Sequence, residues 1–301
     1  MNKNLHSNCL ICKSDQLKKL KNFYQKHQLV KCSNCGFVFM ERVPTPEELD
    51  AHYAHYDYSS EVFLSPITIK RYQTLLDDFE SYRKTNRILD VGCGRGWLLE
   101  EAKKRGWEVY GTEFSDEAIA ANQAKGIKME QGSLNTNSFE VLEFDVITSI
   151  EVIEHINNPL EEVKHIRSLL RTGGLFYCTT PNFNAYLRYQ LKDRYNVIQY
   201  PEHLSYYTKK TLRRLFESHG FKTKKLLTTG ISISRSITSK KTFEGTDEQL
   251  ISKESQDEKL RSKIEGKWYL ELTKSVVNKV LTVLGLGISL KGYFVKEEPR
   301  T

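Results

Sequence analysis

Residues 88–97, ILDVGCGRGW, constrain the fold of this chain more than any other stretch. An apolar run carries Asp90, glycine then recurs at alternate positions (Gly92, Gly94 and Gly96), and a helical pattern opens at Leu98. The stretch reads as strand, tight turn and helix. Glycines there permit backbone conformations that a side chain forbids and leave the main chain bare for a ligand. The first N–H groups of the following helix point at the same spot. A pyrophosphate-binding turn is written G-x-G-x-x-G; here the spacing is G-x-G-x-G, with a carboxylate two residues before the first glycine. That carboxylate repels phosphate and suits a ligand bearing an ammonium group and ribose hydroxyls. Taken alone, the motif also fits an ordinary glycine turn in another α/β protein.

From residue 87 to about 182 strand and helix patterns alternate. Strands are expected at 87–91, 108–112, 127–130, 144–149 and 175–179. Ser115 is the expected cap of the helix after the second, and Gly173 and Gly174 close a helix expected at 160–170. Strands separated by helices give right-handed crossovers and a parallel sheet covered on both faces, with ligands at the carboxyl ends of the strands. Those ends carry Glu113, then Gly132-Ser133-Leu134, then Ser149 to Glu151. An acid at Glu113 can accept hydrogen bonds from both hydroxyls of a ribose. A nicotinamide dinucleotide would ask for the same acid, so the loop spacing does the discriminating. Further strands are expected at 221–229 and 289–295.

Ahead of this pattern lie two C-x-x-C pairs, Cys9 with Cys12 and Cys32 with Cys35, with nineteen residues between the pairs. Four thiolates in two such turns can surround one Zn²⁺ tetrahedrally, and the spacing is that of a zinc ribbon. A redox dithiol pair is the alternative; four sulfurs leave no open position for catalysis at the metal. Cys93 and Cys178 read as small packing residues. Residues 1–40 carry seven lysines against the single acid Asp15, a solvated face or a phosphate-binding one. The whole chain of 301 residues has a formal charge of only +7, which does not by itself imply nucleic acid. No run of about 18 apolar residues exists and no apolar leader opens the chain, so a cytoplasmic protein is expected.

DVGCGRGWLL, the acid in YGTEFS, FDVITSIEVIEHINNP, the LLRTGG turn and TTPN together resemble the class I S-adenosylmethionine (SAM)-dependent methyltransferases, in the small-molecule branch similar to the ubiquinone-biosynthesis type. The resemblance covers residues 87 to about 230 and continues into the last strand. It implies a doubly wound α/β fold: a mostly parallel, seven-stranded Rossmann-like sheet whose last strand is antiparallel. It also implies that Asp90, Gly92 and Gly94 take the amino-acid end of SAM, with Gly96 closing the same loop. Glu113 would then take the ribose, Ser133 and Leu134 the adenine, and Ser149 and Glu151 the methionine portion. The ribbon followed by GFVFMERVPTPEEL is similar to the N-terminal zinc segment of many bacterial methyltransferases of polysaccharide and natural-product pathways. That likeness implies a hydroxyl of a sugar or related small molecule as methyl acceptor.

The expected organisation is a ribbon at 1–43, a helical connector or substrate cap at 44–86, and a methyltransferase domain at 87–301 with a helical insertion at about 231–286. Within the connector, Thr45 caps a short helix and HYAHYDY at 52–58 is either interdomain packing or an aromatic wall of the pocket. His203, in a loop before a helix at 209–219, is the candidate general base, since histidine titrates near neutral pH. A histidine bonded to backbone is the alternative, and His155 reads as support for the cofactor loop. The apolar helix from Trp268 is interrupted by Lys274, Asn278 and Lys279, so it does not span a membrane. Packing on the sheet, pairing with a second subunit and peripheral contact with a lipid surface all fit it. An RNA methyltransferase using the basic ribbon, and a non-catalytic SAM-binding scaffold, are the competing functional classes.

Overall fold

The computed structural model describes residues 5–45, 47–49, 64–135, 137, 139, 143–231 and 268–298. The HYAHYDY cluster and most of the 231–267 stretch therefore lie outside the described residues. Strands β1 (Leu17–Lys19), β2 (Leu29–Cys32) and β3 (Val38–Met40) form an antiparallel meander, with helix α1 (Tyr24–His27) between the first two. Thr45 then caps a turn reciprocally: Glu48 N–H donates to its hydroxyl at 3.3 Å, and its own N–H donates to the Glu48 carboxylate at 3.0 Å. Helix α2 (Pro66–Glu80) starts on Ser65, whose hydroxyl accepts from Ile67 N–H, with Pro66 in the first turn.

The alternation follows: β4 (Arg87–Val91), α3 (Trp97–Lys104), β5 (Glu108–Glu113), α4 (Asp116–Ala124), β6 (Lys128–Gln131), β7 (Phe144–Ile150), α5 (Pro159–Leu169) and β8 (Leu170–Pro181). Then come α6 (Tyr186–Leu191), β9 (Ser205–Tyr206), α7 (Lys209–Glu217), β10 (Phe221–Thr229), α8 (Trp268–Leu284) and β11 (Ser289–Lys296). The large sheet has the order β10-β11-β8-β7-β4-β5-β6. Pairing is parallel from β8 through β6, and β11 runs antiparallel to both its neighbours. This is the doubly wound sheet expected from the sequence, with its antiparallel last strand.

Both faces are covered. Leu76 and Phe79 of α2 and Leu98, Leu99 and Ala102 of α3 pack with Ile88, Val109 and Val146. On the opposite face Val163 and Ile166 of α5 and Leu212, Leu215 and Phe216 of α7 meet Phe176 and Phe294. Phe216 stacks on Phe294 at 4.2 Å between ring centroids. Helix α8 lies along β10, where the Thr228 hydroxyl donates to Leu281 O at 2.6 Å and Thr282 donates to Thr228 O at 2.9 Å. Its outer face leaves Leu272, Val276, Val280 and Val283 exposed.

Two local differences from the sequence reading have physical causes. Strand β8 begins at Leu170, where the sequence pattern continues a helix, because Arg171 is drawn into the sheet by Asp145: Arg171 Nε donates to its carboxylate at 2.6 Å. That carboxylate is fully buried and also accepts Lys84 N–H at 2.7 Å and Asn86 N–H at 2.8 Å. The other difference concerns the ribbon, which gains a fourth strand from far along the chain, since β9 pairs antiparallel with β3. Two residues of pairing leave no periodicity to read.

Candidate active site

Strand β4 carries Asp90 between Gly111 on β5 and Thr148 on β7. Asp90 is 5 % exposed, and the Thr148 hydroxyl donates to its Oδ1 at 2.5 Å. Burial pushes its carboxyl up, the Thr148 bond draws it back and the negative field of Glu113 raises it again, leaving it at about 7. A positive group beside it restores the ionised form, which is what the ammonium of an amino acid supplies.

Immediately after β4 the chain turns through Gly92, Gly94 and Gly96, all left-handed, with φ of 64°, 51° and 71°. A Cβ on Gly92 would lie 2.8 Å from Val152, and one on Gly96 would lie 2.3 Å from Asn122 Oδ1, so neither position admits a side chain. Neighbouring groups fix the loop from several sides. Gly92 N–H donates to the Thr112 hydroxyl at 3.3 Å and Gly94 N–H to Glu113 Oε2 at 2.9 Å. Asn122 Nδ2 donates to Gly94 O at 2.8 Å, and Lys125 Nζ to Arg95 O at 2.8 Å.

Glu113, at the tip of β5, also accepts Phe114 N–H at 2.8 Å through Oε1. Gly132 N–H donates to Glu113 O at 2.8 Å, which brings the 132–134 turn beside it. There Ser133 is exposed and Leu134 buried. Ser149 is buried at the end of β7, paired with Val91. Glu151 follows at φ 55°, a strained conformation for a residue with a side chain, and its N–H donates to Thr179 O at 3.0 Å. The candidate cofactor residues thus converge on the carboxyl edge of β4 to β7. Thr112, Asn122, Thr148 and Val152, which the sequence reading missed, hold that edge together. Their partners come from strand register and helix docking, which leave no local motif.

Beyond Glu151 the chain forms a second cluster. The ligand atoms of Glu154, His155 and His203 all lie within 4.8 Å of one another, and the two imidazole rings meet edge to face at 4.8 Å. His203 Nδ1 lies 2.6 Å from Val197 O. A carbonyl only accepts, so Nδ1 carries a proton and donates it. Glu154 is buried, and its carboxyl is raised well above the ordinary value by burial, with Glu151 adding to the effect.

The four ribbon cysteines meet as their spacing implies, with all four sulfurs within 4.8 Å of one another. Cys9 and Cys35 sulfurs are 3.5 Å apart, as are those of Cys12 and Cys32. Tetrahedral Zn–S bonds of about 2.3 Å place sulfurs about 3.8 Å apart, so the set fits Zn²⁺. Without a cation the Cys9 thiol is pushed up by its bond to Cys35 and by burial.

A family model described as a methyltransferase domain matches residues 64–226, more than half of the chain. The chain belongs to that methyltransferase family. In sequence this methyltransferase is similar to the ubiquinone biosynthesis O-methyltransferase of Coxiella burnetii, 39% identical over 117 residues, which cover 35% of this chain and 48% of that protein. The protein of the same name from Aeromonas salmonicida is 30% identical over 147 residues, covering 44% and 62% respectively. The methyltransferase therefore spans about half the length of the curated relatives it matches. In fold it is similar to a SAM-dependent methyltransferase from Archaeoglobus fulgidus, with a TM-score of 0.50 and 18% identity over 76% of this chain and 93% of that one. The fold is that of a class I SAM-dependent methyltransferase, and the glycine loop with Asp90 and Glu113 lies at the carboxyl ends of its parallel strands. Among the described residues no helix is long and apolar enough to cross a membrane.

Proposed function

We propose that this chain transfers the methyl group of SAM to a hydroxyl of a small molecule, a sugar or a related intermediate of bacterial polysaccharide or natural-product assembly, with His203 as general base. The observation that carries the reading is a pair of clusters joined by the turn after β7, where Val152 packs on Gly92 and Glu154 O accepts from Leu204 N–H. One is a glycine loop flanked by Asp90 and Glu113; the other is the His203 imidazole, held through Nδ1 on Val197 O beside Glu154 and His155. The O-methyltransferase names of the relatives support an oxygen acceptor, and the ribbon's resemblance supports a sugar-like one.

When bound, SAM supplies a methyl carbon made electrophilic by its sulfonium. The protein's part is alignment and proton handling. Asp90 would hold the ammonium end, Glu113 the ribose hydroxyls, Ser133 and Leu134 the adenine, and Ser149 with Glu151 the remaining chain. His203 Nε2 would accept the acceptor's hydroxyl proton as its oxygen becomes bonded to carbon, while Nδ1–H stays on Val197 O. The four-cysteine site lies in the ribbon, where Zn²⁺ would be structural, and the proposed organisation remains a ribbon at 1–43, a connector at 44–86 and a catalytic domain beyond.

Labelled methyl from SAM, offered to a lysate fractionated into small molecules, glycans and RNA, tests the assignment. Label is expected in the small-molecule fraction, and recovery in RNA alone would overturn the acceptor class. With the acceptor found, His203→Ala is expected to lower kcat about 100-fold at saturating SAM without changing SAM affinity. Unchanged turnover would remove His203 as the base.

A further inference from the structure

We propose that metal occupancy of the four-cysteine site sets the geometry of the acceptor side of the active site, with β9 as the connection. The proposal rests on the reading of Glu154, His155 and His203 as that acceptor side.

The metal turn and the strand after it are one hydrogen-bonded unit: Gly36 N–H donates to Cys32 O and Cys32 N–H to Phe37 O, both at 2.9 Å. Strand β3 then pairs with β9, Val38 with Tyr206 and Phe39 with Ser205, and Met40 N–H donates to Leu204 O at 3.0 Å. On its other side this segment reaches the catalytic loop, because the N–H groups of Leu204 and Ser205 both donate to Glu154 O at 2.9 Å. His203 directly precedes Leu204. Main-chain bonds therefore run unbroken from the cysteine turn to the groups that face the acceptor.

Two further ties run the same way. Phe37 packs on Phe39 at 5.6 Å and on Tyr207 at 5.2 Å between ring centroids. His6 Nε2 lies 2.9 Å from Asn157 Oδ1, with its ring against Phe39. The cofactor side is tied by strand pairing instead: Asp90, Gly92 and Glu113 hang on β4 and β5, whose sheet neighbours are β7 and β6.

A ribbon of this size draws its folding free energy from its metal. Loss of the ion loosens the turn, frees β3, and through β9 releases Glu154 and His203 while leaving the glycine loop in place. The ribbon then acts as a lever on acceptor geometry as well as a scaffold.

Amide hydrogen exchange read by mass spectrometry tests this on the full chain, zinc-loaded and after chelation under reducing conditions, alongside SAM titration of both forms. Expected on metal removal is about tenfold faster exchange at 154–157 and 203–207, unchanged exchange at 87–91 and 108–113, and SAM affinity within about twofold. Changes confined to 5–43, or loosening of β4 and β5 to the same extent, would overturn the proposal. A second variant, His6→Ala, keeps all four cysteines and removes the Asn157 bond together with the ring contact on Phe39. It is expected to speed exchange at 154–157 about threefold with zinc retained, and unaltered exchange there would count against the lever. Exchange needs no turnover, so if SAM binds neither form the functional reading fails while the coupling is still decided.

Discussion

The Thr148 hydroxyl donates to Asp90 Oδ1 across the β7–β4 pairing at 2.5 Å, holding a carboxylate almost wholly out of water beside the glycine loop. The folded value of Asp90, about 7, lies above its ordinary value of 3.8. Ligand-free protein therefore binds a proton that the unfolded chain has lost at intermediate pH. The stability from this group is complete below about pH 4 and is lost as pH rises through about 7. Glu162, also raised to about 7 by burial, acts in the same direction. SAM affinity runs the other way, since its ammonium needs the ionised carboxylate. Titration calorimetry is expected to show affinity rising about tenfold between pH 6 and 8; a flat profile would contradict the assignment of Asp90.

Asp90→Asn separates charge from shape. The amide keeps a partner for Thr148 but offers no anion, so SAM affinity is expected to fall about 100-fold and its pH dependence to vanish. In the absence of ligand the same variant should melt no lower than wild type at pH 8, because a buried charge has been removed. Loss of affinity accompanied by a large drop in melting temperature would instead mean that Asp90 is structural.

Gly96→Ala places a methyl 2.3 Å from Asn122 Oδ1 at a residue with φ of 71°. Asn122 must move, and its bond to Gly94 O goes with it. The expected cost is about 2 kcal/mol of stability, read by urea denaturation, together with weaker SAM binding. A neutral substitution would show that the loop tolerates a side chain.

Arg171→Met leaves the fully buried Asp145 carboxylate with only its backbone donors and a lost ion pair. Burial tends to raise Asp145, yet Arg171 and the main-chain bonds hold it below its ordinary value. Removing the guanidinium is expected to cost about 3 kcal/mol, partly recovered in the Asp145→Asn/Arg171→Met double variant. SAM affinity of the folded fraction should stay unchanged, because the pair sits at the opposite end of the sheet strands from the glycine loop.

Much of this molecule was legible in its sequence because the signals are local. Glycine spacing after an apolar strand marks the loop at Gly92 to Gly96, and paired C-x-x-C turns mark the ribbon, whose sulfurs do converge. Strand β10 falls at the expected bounds, since turn glycines and apolar periodicity delimit it. What escaped reading depends on register. Thr148 reaches Asp90, and Asn122 reaches Gly94, only after β7 and α4 have docked. The β3–β9 pairing joins Val38 and Phe39 to Tyr206 and Ser205, 166 to 168 residues away, through a two-residue strand. His203 was visible as a histidine in a loop, but that its backbone partner is Val197 O and its ring neighbour His155 was not.

The central claim is that the loop between Asp90 and Glu113 receives a sulfonium nucleoside. Calorimetric titration of the purified chain with SAM, in the presence and absence of reduced nicotinamide adenine dinucleotide, tests it most directly. The account predicts one equivalent of SAM bound, undisturbed by the dinucleotide. No heat with SAM, or its displacement by the dinucleotide, would contradict it.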